Sequence, residues 1–326
     1  MFLDTIIIVL GFIGLIWGAD KFVYGASALA RNLGVSPLMI GLTIVAFGTS
    51  APEIFSSAVA ALEDKPELAI GNALGSNLFN VGVALGLAAV ISPIKPPESL
   101  INKELPALLL VTLVTGALLF DESLGIFDAL VLISITGFFG YKIFQKRIKS
   151  SVVPEIEESK VAGINSIQAI LYLILGLALL ILSAQVLVGA ASSIAEQLGV
   201  SAAIIGLTIV ALGTSLPELA ASITCVLKGH HDLAIGNIVG SNLLNLLAVL
   251  PFPGLLSAGP FDPSLLYRDY FGVLILTLLL AFFCHRAIKK NKMIGRINGM
   301  IFLSIYGGWF TLMLIQVCLL YTSDAA

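Results

Sequence analysis

Two glutamates, Glu53 and Glu218, lie inside segments that are otherwise apolar enough to cross a lipid bilayer. Each closes the same short run, Gly-Thr-Ser-x-Pro-Glu, at 48–53 and at 213–218. An ionised carboxylate at the centre of a spanning helix costs at least about 3 kcal/mol. Because this cost recurs at two matched positions, we expect both acids to be functional, and cation binding is the chemistry that such a pair would serve.

The two acids belong to a larger internal repeat. Residues 41–80 return as residues 206–245 in register and without a gap, so each residue has a counterpart 165 positions later. The copied positions include the polar ones. We therefore expect one site to be built from both copies, and two facing carboxylates would neutralise one Ca²⁺.

Helical spacing gathers further oxygen atoms beside the acids, because residues three or four apart share a helix face. Carboxylate, hydroxyl, amide and carbonyl oxygens suit hard cations such as Ca²⁺ or Na⁺, whereas Zn²⁺ or Cu⁺ would need His or Cys, and neither residue type stands on these stripes. The first copy places on its stripes Ala46, Thr49 or Ser50, and Glu53, then Asn72, Ser76 and Asn80; the second places Ala211, Thr214, Ser215 and Glu218, then Asn237, Ser241 and Asn245.

Proline interrupts both acid-bearing helices. Pro52 and Pro217 have no N–H for the carbonyl four residues back, that of Gly48 or Gly213. Unpaired backbone at membrane depth is tolerated only where it is buried in protein or lines a wet cavity. The sequence therefore predicts a broken helix in each copy, with a cation as a partner for the freed carbonyls.

The elements that hold these residues are predicted to be membrane helices, in an all-α fold. Hydrophobic residues make up 58% of the chain, charged residues 11%, and the mean hydropathy is +1.04. A span needs about 20 mostly apolar residues. Ten segments are near that length, at 5–27, 35–62, 67–92, 104–120, 124–145, 165–190, 199–227, 232–256, 268–287 and 297–320.

Five helices per half is an odd number, so the second half must enter the membrane in the opposite sense to the first. We predict two inverted five-helix repeats, 1–145 and 164–326, a plan that recurs in secondary transporters. The polar segment 146–163 reads as a solvated linker. Most Lys and Arg fall on one side of the predicted membrane, which puts the linker in the cytoplasm and both termini outside.

Other polar or reactive residues carry weaker signals. Cys225, Cys284 and Cys318 are isolated in apolar helices, so neither a disulfide framework nor a thiolate metal site is predicted. Asp20 has Gln185 rather than an acid as its counterpart and is predicted to be interfacial. No cofactor is predicted, and the sequence indicates no oligomeric state.

The paired motifs G-[LM]-T-[IV]-V-A-x-G-T-S-x-P-E and A-I-G-N-x-x-G-S-N-x-x-N resemble the two alpha repeats of the calcium/cation antiporter superfamily, in its prokaryotic sodium/calcium exchanger branch. The resemblance covers almost the whole ten-helix plan. It implies that Glu53 and Glu218 are calcium-coordinating acids. It also implies ligands around them: Thr49, Ser50, Thr214, Ser215, Ser76, Asn80, Ser241, Asn245, and the carbonyls of Ala46 and Ala211.

The chain departs from its relatives in places. Potassium-dependent exchangers resemble it but carry Asp where Asn245 stands, so a third buried charge is missing and potassium coupling is disfavoured. The proton-coupled branch has a different signature around its acids, which favours sodium as the driving ion without excluding protons. The end of the chain, from about Val317, resembles translated adaptor sequence, and no function is inferred from it.

We predict an inner-membrane antiporter that exchanges Ca²⁺ for Na⁺ by alternating access, with the first and sixth helices sliding across the bundle. A Ca²⁺/H⁺ antiporter is the main alternative, and a passive cation channel could use the same oxygens. An intramembrane enzyme is disfavoured, because the sequence has no H-E-x-x-H motif and no paired membrane aspartates. Nucleic-acid binding has no support, since the basic residues are scattered at helix ends.

Overall fold

The protein is almost entirely helical in this computed structural model, which describes residues 1–149, 164–200 and 205–323. Side chains at 142–149, 206–207, 211 and 317–323 also lie outside the described part, as do the contacts of Ala211. The helices are α1 (Phe2–Leu33), α2 (Pro37–Thr49), α3 (Ala51–Leu62), α4 (Pro66–Ile91), α5 (Ser99–Asn102), α6 (Glu104–Leu119), α7 (Ile126–Lys149), α8 (Ser166–Gln197), α9 (206–213), α10 (Leu216–Leu227), α11 (His231–Leu256), α12 (Leu265–Lys289) and α13 (Arg296–Ser323).

Six of these helices are long and apolar enough to cross a membrane, and a seventh span results if the bent pair α2–α3 is one span. Three shorter apolar stretches fall below that length. They are α6 (Glu104–Leu119), the part of α7 from Ile126 to Tyr141, and α10 (Leu216–Leu227). The helical class predicted from the sequence is thus correct, while the count of ten spans stays a prediction. One small addition is a two-residue antiparallel pairing of Ser123–Leu124 with Gly259–Pro260.

Three helices extend beyond the predicted segments. α1 and α8 each run for 32 residues, longer than the predicted spans 5–27 and 165–190. Such a helix is about 48 Å long, so it must tilt or extend beyond a hydrocarbon core of about 30 Å. α7 continues to Lys149, four residues into the predicted linker, because Lys146-Arg147-Ile148-Lys149 contains no helix breaker. The rest of that linker, 150–163, lies outside the described residues.

Local sequence explains where the helices begin and end. α1 stops at Gly34, whose φ of 63° is the left-handed conformation that glycine adopts without strain. α2 begins after Ser36, whose hydroxyl accepts the Met39 N–H. α8 begins with a capping box between Asn165 and Gln168.

The proline breaks occur where the sequence predicts them. α2 ends at Thr49, Ser50 leaves the helical region, and α3 starts with Pro52 in its first turn, bent 46° from α2. The second copy repeats this at Ser215, with Pro217 in the first turn of α10. A proline is tolerated there because first-turn N–H groups have no intrahelical partner.

Matched π-helical turns accompany the breaks and were not predicted. They lie at Gly41–Val45 and Gly206–Val210, and again at Asn80–Leu85 and Asn245–Val249. Each member of a pair starts 165 positions from the other. π turns occur frequently at functional sites, and two of these begin at the predicted ligands Asn80 and Asn245.

α4 and α11 are the most buried spans and form the centre of the bundle, whereas α1 and α8 pack on each other at its edge. α11 lies along α2 at very close range. A Cβ on Gly240 would lie 2.6 Å from the Leu42 carbonyl oxygen and 2.7 Å from the Ala46 Cβ. This close contact requires glycine at position 240. It lets α11 pack directly against α2, the helix that ends at the first proline break.

We expect Gly240→Ala to destabilise the fold by about 1–3 kcal/mol, because the added methyl overpacks against backbone that cannot rotate away. Thermal unfolding of the purified protein in detergent measures this as a lowered Tm. Gly137→Ala on α7 is the matched control, since Gly137 is exposed and a Cβ there meets no described atom within 4 Å. Equal Tm values for the two variants would contradict the close packing of α11 on α2.

Candidate cation site

The two broken helices are joined by serine–glutamate hydrogen bonds that cross between the repeats. Ser50 Oγ donates to Glu218 Oε1 at 3.0 Å, and Ser215 Oγ donates to Glu53 Oε1 at 3.0 Å. Both acids are buried, with exposed fractions of 1% and 0%. Each serine lies one turn before the glutamate of its own repeat but bonds the glutamate of the other repeat. The two carboxylates therefore face one common space.

Several buried oxygen atoms of the predicted ligands have no hydrogen-bond partner in the described structure. Each carboxylate keeps its second oxygen, Oε2, buried and unpaired, and three neutral side chains do the same. A buried polar atom left unpaired costs about 1–3 kcal/mol, and more when it is charged. Such a cluster of orphan acceptors is chemically fitted to a cation. The neutral orphan oxygens are Asn80 Oδ1, Ser241 Oγ and Asn245 Oδ1.

The remaining predicted hydroxyls surround the same space. Ser215 Oγ lies 3.2 Å from the buried Ser76 Oγ. Thr49 is fully buried and its Oγ1 lies 3.1 Å from the Val45 carbonyl oxygen and 3.2 Å from Asn237 Oδ1. Thr214, its counterpart, is only half-buried. Among the described residues, no group of three or more His, Cys, Asp or Glu side chains is arranged for a metal, so the charge here comes from the two glutamates.

The Ala46 carbonyl oxygen, a predicted ligand, already takes part in hydrogen bonds within its own helix. It accepts the Ser50 N–H at 2.9 Å, and Thr49 Oγ1 lies 3.4 Å away. The helix remains intact up to Thr49, so this carbonyl keeps its intrahelical bond and offers a cation only its second lone pair. Ala211 begins the last turn of α9, and its own contacts lie outside the described residues.

Two further polar pairs hold the acid-bearing helices and were not among the predicted ligands. Asn72 Nδ2 donates to the Glu53 carbonyl at 3.1 Å and to Ser57 Oγ at 2.9 Å. Asn237 Nδ2 donates to Ser222 Oγ at 3.2 Å. Ser57 and Ser222 could have been found from sequence, because each lies four residues after its glutamate and they are counterparts in the repeat.

Asn80 and Asn245 also bind across the repeats. Asn80 Nδ2 donates to Asn242 Oδ1, and Asn245 Nδ2 donates to Asn77 Oδ1, both at 3.1 Å. If each residue is replaced by its counterpart in the other repeat, the first contact becomes the second, as it does for the serine–glutamate pairs. The site thus has the pairwise symmetry expected when two copies face each other across a two-fold pseudo-axis.

The surroundings of the site do not share this symmetry. A cavity of about 660 Å³ lies between α3, α8 and the 206–227 segment, and Gln185, Thr214 and Pro217 are among its lining residues. Val210 lines it too and is 46% exposed, whereas its counterpart Val45 is 0% exposed. The cavity therefore reaches Thr214 and Pro217, next to the buried acid Glu218, while Val45 at the equivalent position of the first copy is buried.

An ion pair lies on the packed side. Lys228 Nζ is 2.5 Å from Asp20 Oδ1, which ties α1 to the end of α10 and gives the half-exposed Asp20 a specific partner. The counterparts of these residues are Gln185, which lines the cavity, and Glu63, which pairs with Lys65 instead. The asymmetry therefore involves charge as well as packing.

Comparison with known proteins identifies the family of this chain. The family model for the sodium/calcium exchanger protein matches residues 3–144 and 168–315. CaxA of Alkalimonas amylolytica is 43% identical over 95% of this chain and 98% of its own length. The sodium/calcium exchanger MaX1 of Methanosarcina acetivorans is 29% identical over 93% and 96%.

Solved structures of the sodium–calcium exchanger NCX_Mj have the same fold. The form soaked with zero Na⁺ and Ca²⁺ covers 96% of this chain and 99% of its own, with a TM-score of 0.81 and 31% sequence identity. A family model that spans both halves, together with a relative 43% identical along the whole chain, establishes the membership. This chain belongs to the sodium/calcium exchanger family of membrane antiporters.

Proposed function

We propose that this antiporter exchanges Ca²⁺ for Na⁺ at the buried site between Glu53 and Glu218. The observation that carries the proposal is the pair of buried carboxylates bonded by serines of the opposite repeat, each with one oxygen left without a partner in the described structure. Two carboxylates match the charge of one Ca²⁺, and the same oxygens suit Na⁺. The proposed ligands are Glu53, Glu218, Thr49, Ser50, Thr214, Ser215, Ser76, Asn80, Ser241 and Asn245, with the carbonyls of Ala46 and Ala211 as weaker ones.

Coupling follows from electrostatics. A bare site would hold two negative charges in a low-dielectric interior, and its desolvation cost would be unmet. Binding of either cation lowers that cost, so only the loaded site is expected to pass between the two sides. Since Ca²⁺ and Na⁺ would use the same carboxylates, their occupancy is mutually exclusive and one ion must leave before the other is carried back.

Alternating access is supported by the one-sided cavity. In a protein built from two matched repeats, exchanging the conformations of the repeats would close the cavity at Thr214 and open an equivalent one at Thr49. We propose the predicted inverted ten-span topology for this change, with the 146–163 linker in the cytoplasm and both termini outside. In that orientation the cavity opens to the outside, and the Asp20–Lys228 pair lies on the closed cytoplasmic side.

A Ca²⁺/H⁺ antiporter is the second candidate, because the same two carboxylates could be neutralised by protons instead of Na⁺. Like charges that share a buried site favour proton uptake by one of them. The geometry of the acids is equally suited to either driving ion, so the distinction depends on transport.

Reconstituted vesicles with one imposed gradient at a time provide the test. We expect radioactive calcium uptake when Na⁺ is loaded inside and diluted outside at equal pH, and only background uptake with a pH gradient in the absence of Na⁺. Uptake driven by pH alone would support the proton-coupled alternative. Uptake that needs no counter-ion on the opposite side would indicate a channel and overturn both exchange proposals.

A further inference from the structure

Four asparagines form two amide pairs that link the repeats at the site. The pairs, here called the asparagine clamps, are Asn77 with Asn245 and Asn242 with Asn80. All four side chains are at most 1% exposed. Asn80 and Asn245 are proposed ligands, whereas Asn77 and Asn242 lie one residue after Ser76 and Ser241.

A backbone carbonyl sets the direction of the first clamp. Asn77 Nδ2 donates to the Asn242 main-chain oxygen at 3.3 Å. A carbonyl can only accept, so Asn77 must turn its NH₂ group to that oxygen and its Oδ1 toward Asn245. Asn245 must then offer its own NH₂ group to Asn77, which leaves Asn245 Oδ1 free.

The second clamp has the same contact but no carbonyl that sets its direction. Asn80 donates its NH₂ group to Asn242 Oδ1, while Asn242 Nδ2 and Asn80 Oδ1 are buried without a partner in the described structure. The orientation of the ligand amide, with its oxygen rather than its NH₂ group available to a bound ion, is therefore fixed by the backbone in the first clamp, at Asn245. An amide that was free to turn over could present N–H dipoles to the cation and repel it.

We propose that Asn77 is a positioning residue that sets the amide orientation of Asn245 for cation binding. This inference rests on the function proposed above. It states that Asn77 acts on the bound ion through Asn245 and not through Asn80. A residue that only filled space would show no such pairing.

Crossed double-mutant cycles test that claim by measuring the half-saturating Ca²⁺ concentration of purified, reconstituted protein. We expect Asn77→Leu alone to raise it about tenfold, the scale of one lost oriented hydrogen bond. In an Asn245→Ala background the same change should add less than about twofold, because the amide it orients is gone. In an Asn80→Ala background it should keep its full effect.

Thr277→Val is the matched control, since Thr277 is 1% exposed, polar and outside the site. It should leave the half-saturating concentration unchanged. If leucine is not accommodated at position 77, Asn77→Ala repeats the cycle without added bulk. Equal costs in both backgrounds would overturn the clamp inference while leaving exchange intact. Absence of Ca²⁺ exchange by the unmodified protein would overturn the proposed function instead.

Discussion

Glu53→Gln and Glu218→Gln are each expected to abolish sodium-driven calcium uptake. Glutamine keeps the size of the side chain and an acceptor for the serine that bonds the acid, so the hydrogen bonds from Ser215 or Ser50 can survive. What disappears is one of the two charges opposite the cation. Removing one partner of a buried ion pair costs about 3–5 kcal/mol, which corresponds to more than about 100-fold in affinity.

The measurement is gradient-driven calcium uptake at matched protein amounts in vesicles. Glu63→Gln provides the control, because the same substitution at an exposed glutamate removes only a surface pair with Lys65 and should leave uptake unchanged. An intact Tm for the two site variants would separate loss of binding from loss of fold. Exchange that persisted in either site variant would refute the role of the carboxylate pair.

A cysteine at position 210 is expected to react with a charged thiol reagent, while a cysteine at position 45 is expected to stay protected. The two valines are counterparts in the repeat and occupy the same sequence, Gly-Leu-Thr-Ile-Val. Val210 lines the cavity and is 46% exposed, whereas Val45 is 0% exposed. Labelling should therefore differ by more than about 100-fold, since buried groups exchange with solvent only through opening of the packed side.

Labelling is measured on Val210→Cys and Val45→Cys in a background without Cys225, Cys284 and Cys318. In sealed vesicles the reagent should reach position 210 from one side only, the outside in the proposed orientation. Denatured samples of both variants should label fully, which shows that each cysteine is present and reactive. Equal labelling of the two folded variants would contradict the one-sided access on which alternating access depends.

Much of the local structure follows from the amino-acid sequence. The helical breaks at Ser50 and Ser215 could be predicted because Pro52 and Pro217 lack a donor, and the structure has both. Helical spacing also predicts that Ser76 and Asn80 share one face of α4. The π turns, such as Gly41–Val45 and Asn80–Leu85, were not predicted, because the period of the apolar residues does not distinguish a π turn from an α turn.

The choice of partners could not be predicted from local sequence. Nothing near Ser50 indicates that its hydroxyl bonds Glu218 rather than Glu53, and nothing near Asn77 indicates its bond to Asn245. These contacts join residues more than 160 positions apart, so they exist only once the two repeats face each other. The sequence could supply the matching sets of groups but not the crossed pairing between them.

The sequence by itself determined that two acids, two broken helices and two matching sets of oxygen-bearing side chains lie in apolar segments, because these depend on residue type and spacing. Only the tertiary structure decided which side of the site is open. The same five residues, 41–45 and 206–210, end in a buried valine in one copy and an exposed valine in the other. Identical local sequence cannot specify different exposure, so the difference must come from how each copy packs against the rest of the chain.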